Sequence, residues 1–206
     1  LYYFRMHPEH ISTESANRTT MYLQESERNK VAQTMSREAF LHQCQYRVQF
    51  SRMQPADINR VTELINRTNQ LNTSIKRYRL EQIQHFAEDP VTDIFVIRVQ
   101  DKFGDYGLVG VCIGIQQDFL YTIDTLLFSC RVMSRGIEDY MLTKILNHAK
   151  AQGCREAKML FTKGPKNAGM CEILNNNGFE CTAQMPEQIE LCFNLEKTTI
   201  KGEPSW

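Results

Sequence analysis

The sequence lacks an excess of charge of either sign. Its 206 residues contain 24 Lys and Arg against 24 Asp and Glu. A chain that binds nucleic acid through its overall charge carries a basic surplus, so we expect no nucleic-acid partner. No apolar run approaches the roughly 18 residues of a membrane helix, and no signal peptide is visible. We therefore expect no membrane partner and a cytoplasmic location.

The sequence also lacks the patterns of a disulfide framework and of a metal site. Its seven Cys are odd in number and form no C-x-x-C pair, and its five His show no metal-ligand spacing. These features are typical of reduced thiols in a cytoplasmic protein and predict no metal in this domain. The chain begins with Leu1 rather than Met, and we expect it to be a fragment of a longer protein.

What is present is a regular alternation of strand and helix patterns, with a hydrophobic fraction of 42% that can supply a core. Residues 1–45 permit helix but are mostly polar, which predicts a helical connector from a preceding domain. Residues 46–197 predict the order β-α-α-β-β-β-α-β-α-β-β, and residues 198–206 a polar tail. This order indicates a mixed α/β domain whose mostly antiparallel sheet has helices on both faces.

The segment 129–138 (SCRVMSRGIE) lies at the centre of this pattern, between an apolar strand and an amphipathic helix. The free N–H groups and the dipole of a helix start attract phosphate. Arg131 and Arg135 can add charge-assisted hydrogen bonds. Glu138 and Asp139 can instead satisfy the dipole themselves. A phosphate site and an ordinary strand-to-helix turn therefore stay equally open.

Two further features each allow two interpretations. Cys130, beside Arg131 and near a helix start, is a candidate nucleophile for acyl transfer. A Cys at the end of an apolar strand is more often a small core residue, which is the outcome that we expect. The polar cluster 66–72 (NRTNQLN) is either a solvated loop, which its composition favours, or a loop that faces the substrate.

The order of elements resembles the GNAT N-acyltransferase fold. Arg131-x-x-Ser134-x-Gly136 resembles its pyrophosphate-loop motif, Q/R-x-x-G-x-G/A, with Ser134 in place of the first glycine. The resemblance implies that main-chain N–H groups of this loop hold the phosphate of a cofactor.

A second GNAT motif, N-…-Y-x-x-x-G-F, is matched in part. Asn167 and the later pair Gly178-Phe179 fit it, but the tyrosine position holds Leu174. That tyrosine commonly protonates the leaving thiolate in GNAT enzymes. The resemblance therefore implies the fold, and this departure weakens the expectation of the usual acetyl-transfer chemistry.

A narrower resemblance covers nearly the whole chain. Four separated blocks in the right order are similar to the C-terminal half of FkbH-like proteins: 64–72 (LINRTNQLN), 101–110 (DKFGDYGLVG), 129–138 and 166–167. Segment 14–22 (ESANRTTMY) is similar to the helical connector before that half. FkbH-like proteins join an N-terminal domain of the haloacid-dehalogenase (HAD) type to a GNAT-like domain.

Members of that family take a glyceryl unit from 1,3-bisphosphoglycerate, release phosphate and load the acyl group onto an acyl carrier protein in polyketide biosynthesis. The resemblance implies that this acyltransferase-type domain helps to load the carrier's phosphopantetheine thiol, with coenzyme A or that phosphopantetheine as cofactor. Its implied partners are the carrier protein and an N-terminal HAD-like domain, whose D-x-D-x-T motif these residues lack. A non-catalytic docking module and a CoA-dependent GNAT N-acetyltransferase are the alternatives.

The implied site has three parts. The candidate catalytic residues are Cys130 and Asn167. The candidate cofactor contacts lie along a cleft between splayed strands and in the loop after it: Leu126, Phe128, Arg131, Val132, Met133, Ser134, Arg135, Gly136, Ile137 and Asn167. The candidate substrate contacts are Asn66, Thr68, Asn69, Gln70 and Asn72.

Overall fold

A computed structural model describes residues 18–204. The helices are α1 (Arg18–Ala32), α2 (Arg37–Cys44), α3 (Ile58–Arg67), α4 (Leu80–Glu88), α5 (Ile137–Ala151) and α6 (Ala168–Asn176). The strands are β1 (Arg47–Arg52), β2 (Leu71–Asn72), β3 (Thr92–Asp101), β4 (Gly104–Gln117), β5 (Leu120–Phe128), β6 (Glu156–Thr162), β7 (Glu180–Gln184) and β8 (Gln188–Asn194). None of these helices is long and apolar enough to cross a membrane. The predictions for residues 1–17 lie outside the described residues.

The strands form one mixed sheet in the order β1-β3-β4-β5-β6-β8-β7, with the short strand β2 on β5. Within residues 18–204, β5 and β6 are the one parallel pair, and every other pairing is antiparallel. The helix between β5 and β6 supplies the crossover that a parallel pair requires. The predicted mixed, mostly antiparallel sheet is confirmed, whereas β2 was not predicted.

The two faces of the sheet carry different helices, which follows from the apolar stripes of those helices. The stripe predicted for α5 is fully buried at Ile137, Met141, Ile145 and Ala149, and it packs in one core with α6. The other face is covered by α3 and α4, whose buried residues are Val61, Leu64, Ile65 and Ile83. Helices on both faces are therefore confirmed.

Two glycines of β4 let the centre of the sheet pack closely, as their position inside a strand predicts. A Cβ added at Gly110 would lie 2.6 Å from the side chain of Ile97 and 2.8 Å from that of Phe128. Gly114 lies where the register between β4 and β5 shifts. Both glycines thus allow β5, the strand that carries the candidate site, to sit against its neighbours.

Helix α1, in the predicted connector, is held to the sheet by charge. Arg28 is 2% exposed. Its Nε and Nη2 donate to the two carboxylate oxygens of Asp101 at 2.7 and 3.0 Å, and its guanidinium lies 4.1 Å from the ring centroid of Tyr106. A bidentate, buried pair of this kind fixes orientation as well as position. The division of the chain into connector, domain and tail stays a prediction.

Candidate functional site

The cleft that we expected between splayed strands is filled by the chain itself. β5 and β6 pair from Leu120 to Ile123, and their pairing ends there. The segment 71–74 lies in the space beyond, with Leu71 and Asn72 paired to the far end of β5. The cofactor contacts predicted at Leu126 and Phe128 therefore face a segment of this protein.

The hydrogen bonds of the segment 71–74 reach both strands. The N–H of Thr73 donates to the carbonyl of Leu126 at 3.0 Å, and the N–H of Leu126 donates to Thr73 Oγ1 at 2.9 Å. The carbonyl of Thr73 accepts from the N–H of Thr162, on β6, at 2.8 Å. An extended ligand binds such an edge through the same main-chain groups. These groups already have partners.

Asn167 holds this arrangement in place. It is 1% exposed, and its Nδ2 donates to the carbonyls of Asn72 and Thr162 at 2.9 and 2.8 Å. Its Oδ1 accepts from the N–H of Gly164 at 2.8 Å. The geometry gives Asn167 a structural task, because buried polar groups need partners and these three satisfy its amide.

The loop predicted to bind phosphate contains an internal anion. The carboxylate of Glu138, which is 2% exposed, accepts from the N–H of Ser134 at 2.9 Å. Burial raises the pKa of Glu138, and the N–H groups around it offset only part of that effect. The loop therefore supplies hydrogen bonds to its own helix, as the alternative of an ordinary turn requires.

The other cofactor candidates of this loop point in several directions. Val132 and Ile137 are fully buried, Met133 and Ser134 are exposed, and Gly136 adopts a left-handed φ of 79° before α5. Arg135 turns inward, where it donates to the hydroxyl of Tyr106 and pairs with Glu25 at 2.9 Å. Arg131 is the candidate whose side chain belongs to a cavity.

A cavity of about 510 Å³ opens at the carboxyl end of β5, beside the filled cleft. Its walls come from α1, α3, the start of β4 and the loops after α3, β5 and β6. The lining residues are Gln24, Glu25, Arg28, Arg60, Glu63, Leu64, Arg67, Thr68, Asn69, Gln70, Asp105, Tyr106, Ser129, Cys130, Arg131 and Lys166. All four sequence blocks that resemble the FkbH-like proteins contribute to this lining.

Charge is concentrated in the walls of the cavity. Five cationic side chains face three carboxylates. Glu63 lies between Arg60, at 3.0 Å, and Arg67. Glu25 similarly lies between Arg28, at 3.3 Å, and Arg135, at 2.9 Å. These two carboxylates thus each lie between two arginines. With five cations and three carboxylates, the lining has an excess of two positive charges.

Comparison with solved structures settles the fold. A spermidine N-acetyltransferase from Vibrio cholerae, in complex with CoA and spermine, matches with a TM-score of 0.56 and 10% identity over 73% of this chain and 96% of that chain. A ribosomal-protein alanine N-acetyltransferase from Escherichia coli matches with 0.57 and 9% over 78% and 99%. A GNAT-family protein from Desulfovibrio desulfuricans matches with 0.58 and 12% over 72% and 99%. The chain has the GNAT fold. No family model and no curated protein matches the sequence.

The tyrosine position of the second GNAT-type motif holds a leucine. Leu174 is fully buried in the core of α5 and α6. It has no proton to give to a thiolate. In the described residues 18–204 no group of three or more His, Cys, Asp or Glu is placed to hold a metal ion.

The structure divides the predicted substrate residues into two sets. Thr68, Asn69 and Gln70 line the cavity. Asn66 instead exchanges two hydrogen bonds with the backbone of Tyr78. Asn72 is fully buried, and its Oδ1 accepts from the N–H groups of residues 74 and 75 at 3.0 Å each. The first set can contact a ligand, and the second holds the loop.

The expectation that Cys130 is a core residue is wrong. Its side chain is exposed and belongs to the cavity wall, because a short 3-10 turn, Cys130–Val132, follows β5 and directs Val132 inward instead. Sequence reasoning also missed Arg60 and Glu63. The spacing of Arg60, Glu63 and Arg67, three and four residues apart, places them on one helix face and was the available signal.

Proposed function

We propose that this protein is the acyltransferase-type domain of an FkbH-like system, which passes an acyl group to the phosphopantetheine thiol of an acyl carrier protein. One observation carries the proposal. The four blocks that bear the resemblance are separated in sequence, yet each contributes to the lining of one cavity, and an exposed thiol, Cys130, lies in its wall. Their convergence on one solvent-accessible space is what a shared ligand site requires.

The chemistry proposed for the cavity is two successive acyl transfers. The Cys130 thiolate attacks the carbonyl carbon of an acyl phosphate, the carbon–oxygen bond to phosphate breaks, and inorganic phosphate leaves with that electron pair. The thiolate of pantetheine then attacks the resulting thioester, and the sulfur of Cys130 leaves as a thiolate. The proton of the pantetheine thiol goes to solvent or to that departing thiolate. The covalent acyl-enzyme intermediate divides one transfer into two easier ones.

Other residues of the cavity bind and orient in this proposal. Asn69 and Gln70 offer amide groups to the hydroxyl groups of a glyceryl unit, and Arg131 lies next to the thiol in sequence. No residue of the predicted cleft takes part, because the segment 71–74 occupies it. Asn167 acts as a positioning residue through that segment.

Intact-protein mass spectrometry tests the proposal. The chain is mixed with an FkbH-type HAD domain, 1,3-bisphosphoglycerate and a holo carrier protein. We expect a glyceryl increment on the carrier, and a transient increment on this chain that Cys130→Ser abolishes. Cys181→Ser is a matched control, since Cys181 is also exposed but lies outside the cavity lining. A carrier that binds but gains no mass would favour the docking module instead.

A CoA-dependent N-acetyltransferase is the second candidate, which the GNAT structures above favour, one of them a complex with CoA. It would require the segment 71–74 to leave the cleft, because extended ligands need the edge that Thr73 occupies. Incubation with acetyl-CoA and polyamine or peptide amines separates the two candidates. Steady release of CoA thiol, unaffected by Cys130→Ser, would favour the acetyltransferase.

A further inference from the structure

Two places where an extended cofactor could be held are already occupied. The segment 71–74 pairs with the far end of β5, and its four residues are all nearly or fully buried. The carboxylate of Glu138 accepts a hydrogen bond from the N–H of Ser134 in the loop before α5. An anion that entered this loop would have to displace a buried carboxylate from a satisfied position. An anion site of this protein would therefore lie elsewhere.

The cavity gathers cations from four separate elements. Arg28 comes from α1, Arg60 and Arg67 from α3, Arg131 from the turn after β5, and Lys166 from the loop before α6. Bringing like charges together is unfavourable unless an anion lies among them. Glu25 and Glu63 meet part of that need, each between two arginines. Asp105 is exposed, and its Oδ1 accepts from the N–H of Gly107 at 2.7 Å.

The geometry of the cations differs across the cavity. Arg28 is fixed behind the wall by its bidentate pair with Asp101. The mouth of the cavity is defined by its two exposed cations, Arg67, whose side chain is 52% exposed, and Lys166. Arg131 follows Cys130 in the turn after β5, and its Nε donates to the hydroxyl of Ser129 at 3.2 Å. Exposed cations at the mouth can move onto a ligand without leaving a buried carboxylate unpaired.

The size and the polar lining limit the class of ligand. A cavity of about 510 Å³ falls within the usual range for small-molecule sites and is larger than inorganic phosphate needs. Thr68, Asn69 and Gln70 add neutral donors and acceptors beside the cations. An organic molecule with hydroxyl or amide groups and one phosphate would match both features.

We propose that this cavity binds the phosphate group of a small organophosphate, through Arg67, Lys166 and Arg131. The choice of probes rests on the proposed function, in which the phosphate belongs either to the pantetheine arm or to a phosphoglyceryl donor. The phosphate lies at the mouth, between α3 and the loop before α6, and the organic part extends towards Cys130. This site differs from a main-chain phosphate loop, because side chains of three elements form it.

Isothermal titration calorimetry on the chain tests the inference with matched pairs of probes. Pantetheine 4′-phosphate is compared with pantetheine, and 3-phosphoglycerate with glycerate; inorganic phosphate is titrated alone. We expect the phosphorylated member of one pair to bind at least about tenfold more tightly, since charge-assisted hydrogen bonds are the strong ones. The pair that responds identifies the source of the phosphate. Inorganic phosphate should bind more weakly than that organophosphate.

Charge-removal variants locate the site. Arg67→Gln and Lys166→Gln should each weaken the responding organophosphate by about three- to tenfold. Lys150→Gln is the control, because Lys150 is an exposed cation at the far end of α5 and lies outside the cavity lining. This variant should bind the organophosphate with the same affinity as the parent protein. All three changes are at exposed positions, and circular dichroism checks that each variant folds.

The outcomes separate this inference from the proposed function. Equal affinity for both members of each pair, or equal losses in all three variants, would overturn the phosphate site. If carrier loading is then still observed, the proposed function stands without it. Phosphate-dependent binding that Arg67→Gln weakens, together with no carrier loading, supports the site and removes the proposed function.

Discussion

The two spaces at the carboxyl end of β5 are built in opposite ways. The cleft between β5 and β6 is filled by residues 71–74 and closed by neutral groups: main-chain amides, the hydroxyl of Thr73 and the amide of Asn167. The cavity beside it, about 510 Å³, stays open and is walled by five cations and three carboxylates. One space satisfies all of its donors internally, and the other keeps charge in contact with solvent.

This difference separates structure from ligand binding. A buried polar network whose members all have partners stabilises one conformation and leaves little to offer to a ligand. Charges that stay exposed have lost little hydration and can still gain from a ligand of opposite sign. We therefore propose that the filled cleft serves stability and that the cavity binds the ligand, although GNAT-type motifs point to the cleft.

The largest effect is expected where the cavity wall depends on a buried ion pair. Arg28→Met leaves the Asp101 carboxylate buried without its bidentate partner, and breaking such a pair costs about 3–5 kcal/mol. Urea unfolding measures the loss. The double variant with Asp101→Asn should recover part of it, since no unpaired charge is left. A loss below about 1 kcal/mol would mean that α1 does not form this wall in solution.

The next largest loss of stability is expected when the hydrogen bonds that close the filled cleft are removed. Asn167→Ala removes the donor to the carbonyls of residues 72 and 162 and the acceptor for the N–H of Gly164. Buried groups left unpaired cost about 1–3 kcal/mol each before relaxation, so we expect a net loss of about 3 kcal/mol in thermal or urea unfolding. Asn175→Ala, an exposed position on the helix that follows Asn167, is the matched control. Similar losses in both variants would contradict a special role for Asn167.

The contrast between the two spaces also shows what the sequence could predict. The fold was accessible, because the period-2 and period-3.6 patterns of β5 and α5 are local signals. The filling of the cleft was not, because it depends on long-range hydrogen bonds, such as that from residue 167 to residue 72. Cys130 was misplaced for a different, local reason: the apolar strand before it predicts burial, but the short turn after β5 re-aims its side chain.

A smaller loss of stability is expected when a single hydrogen bond of the filled cleft is removed. Thr73→Val keeps the shape of the side chain and removes the oxygen that accepts from the N–H of Leu126. One buried donor then lacks its partner, for a cost of about 1–2 kcal/mol, measured by urea unfolding. Thr73→Ser keeps the hydroxyl and should cost less than Thr73→Val. The reverse order would mean that the methyl group, rather than the hydrogen bond, holds the segment in the cleft.

The smallest effect concerns the internal anion of the loop before α5. Burial raises the pKa of Glu138 in the folded protein above its ordinary value of 4.5. The folded state therefore binds the proton more tightly than the unfolded state does. The contribution to stability that this proton makes is fully present below pH 4.5 and is lost as the pH rises through the raised folded pKa. Glu138→Gln carries no such proton.

The variant should therefore gain stability relative to the parent as the pH rises from 4.5 towards 8, by less than the effect at Thr73. Urea unfolding of both proteins across this range measures the difference. A constant offset, from the extra N–H group of the glutamine, would leave the slope unchanged, so the slope is the readout. A flat difference would mean that the pKa of Glu138 is not raised in the folded protein, and that its carboxylate is not buried in the loop. The slope therefore tests whether the loop before α5 is occupied by its own carboxylate, as the cleft is by residues 71–74.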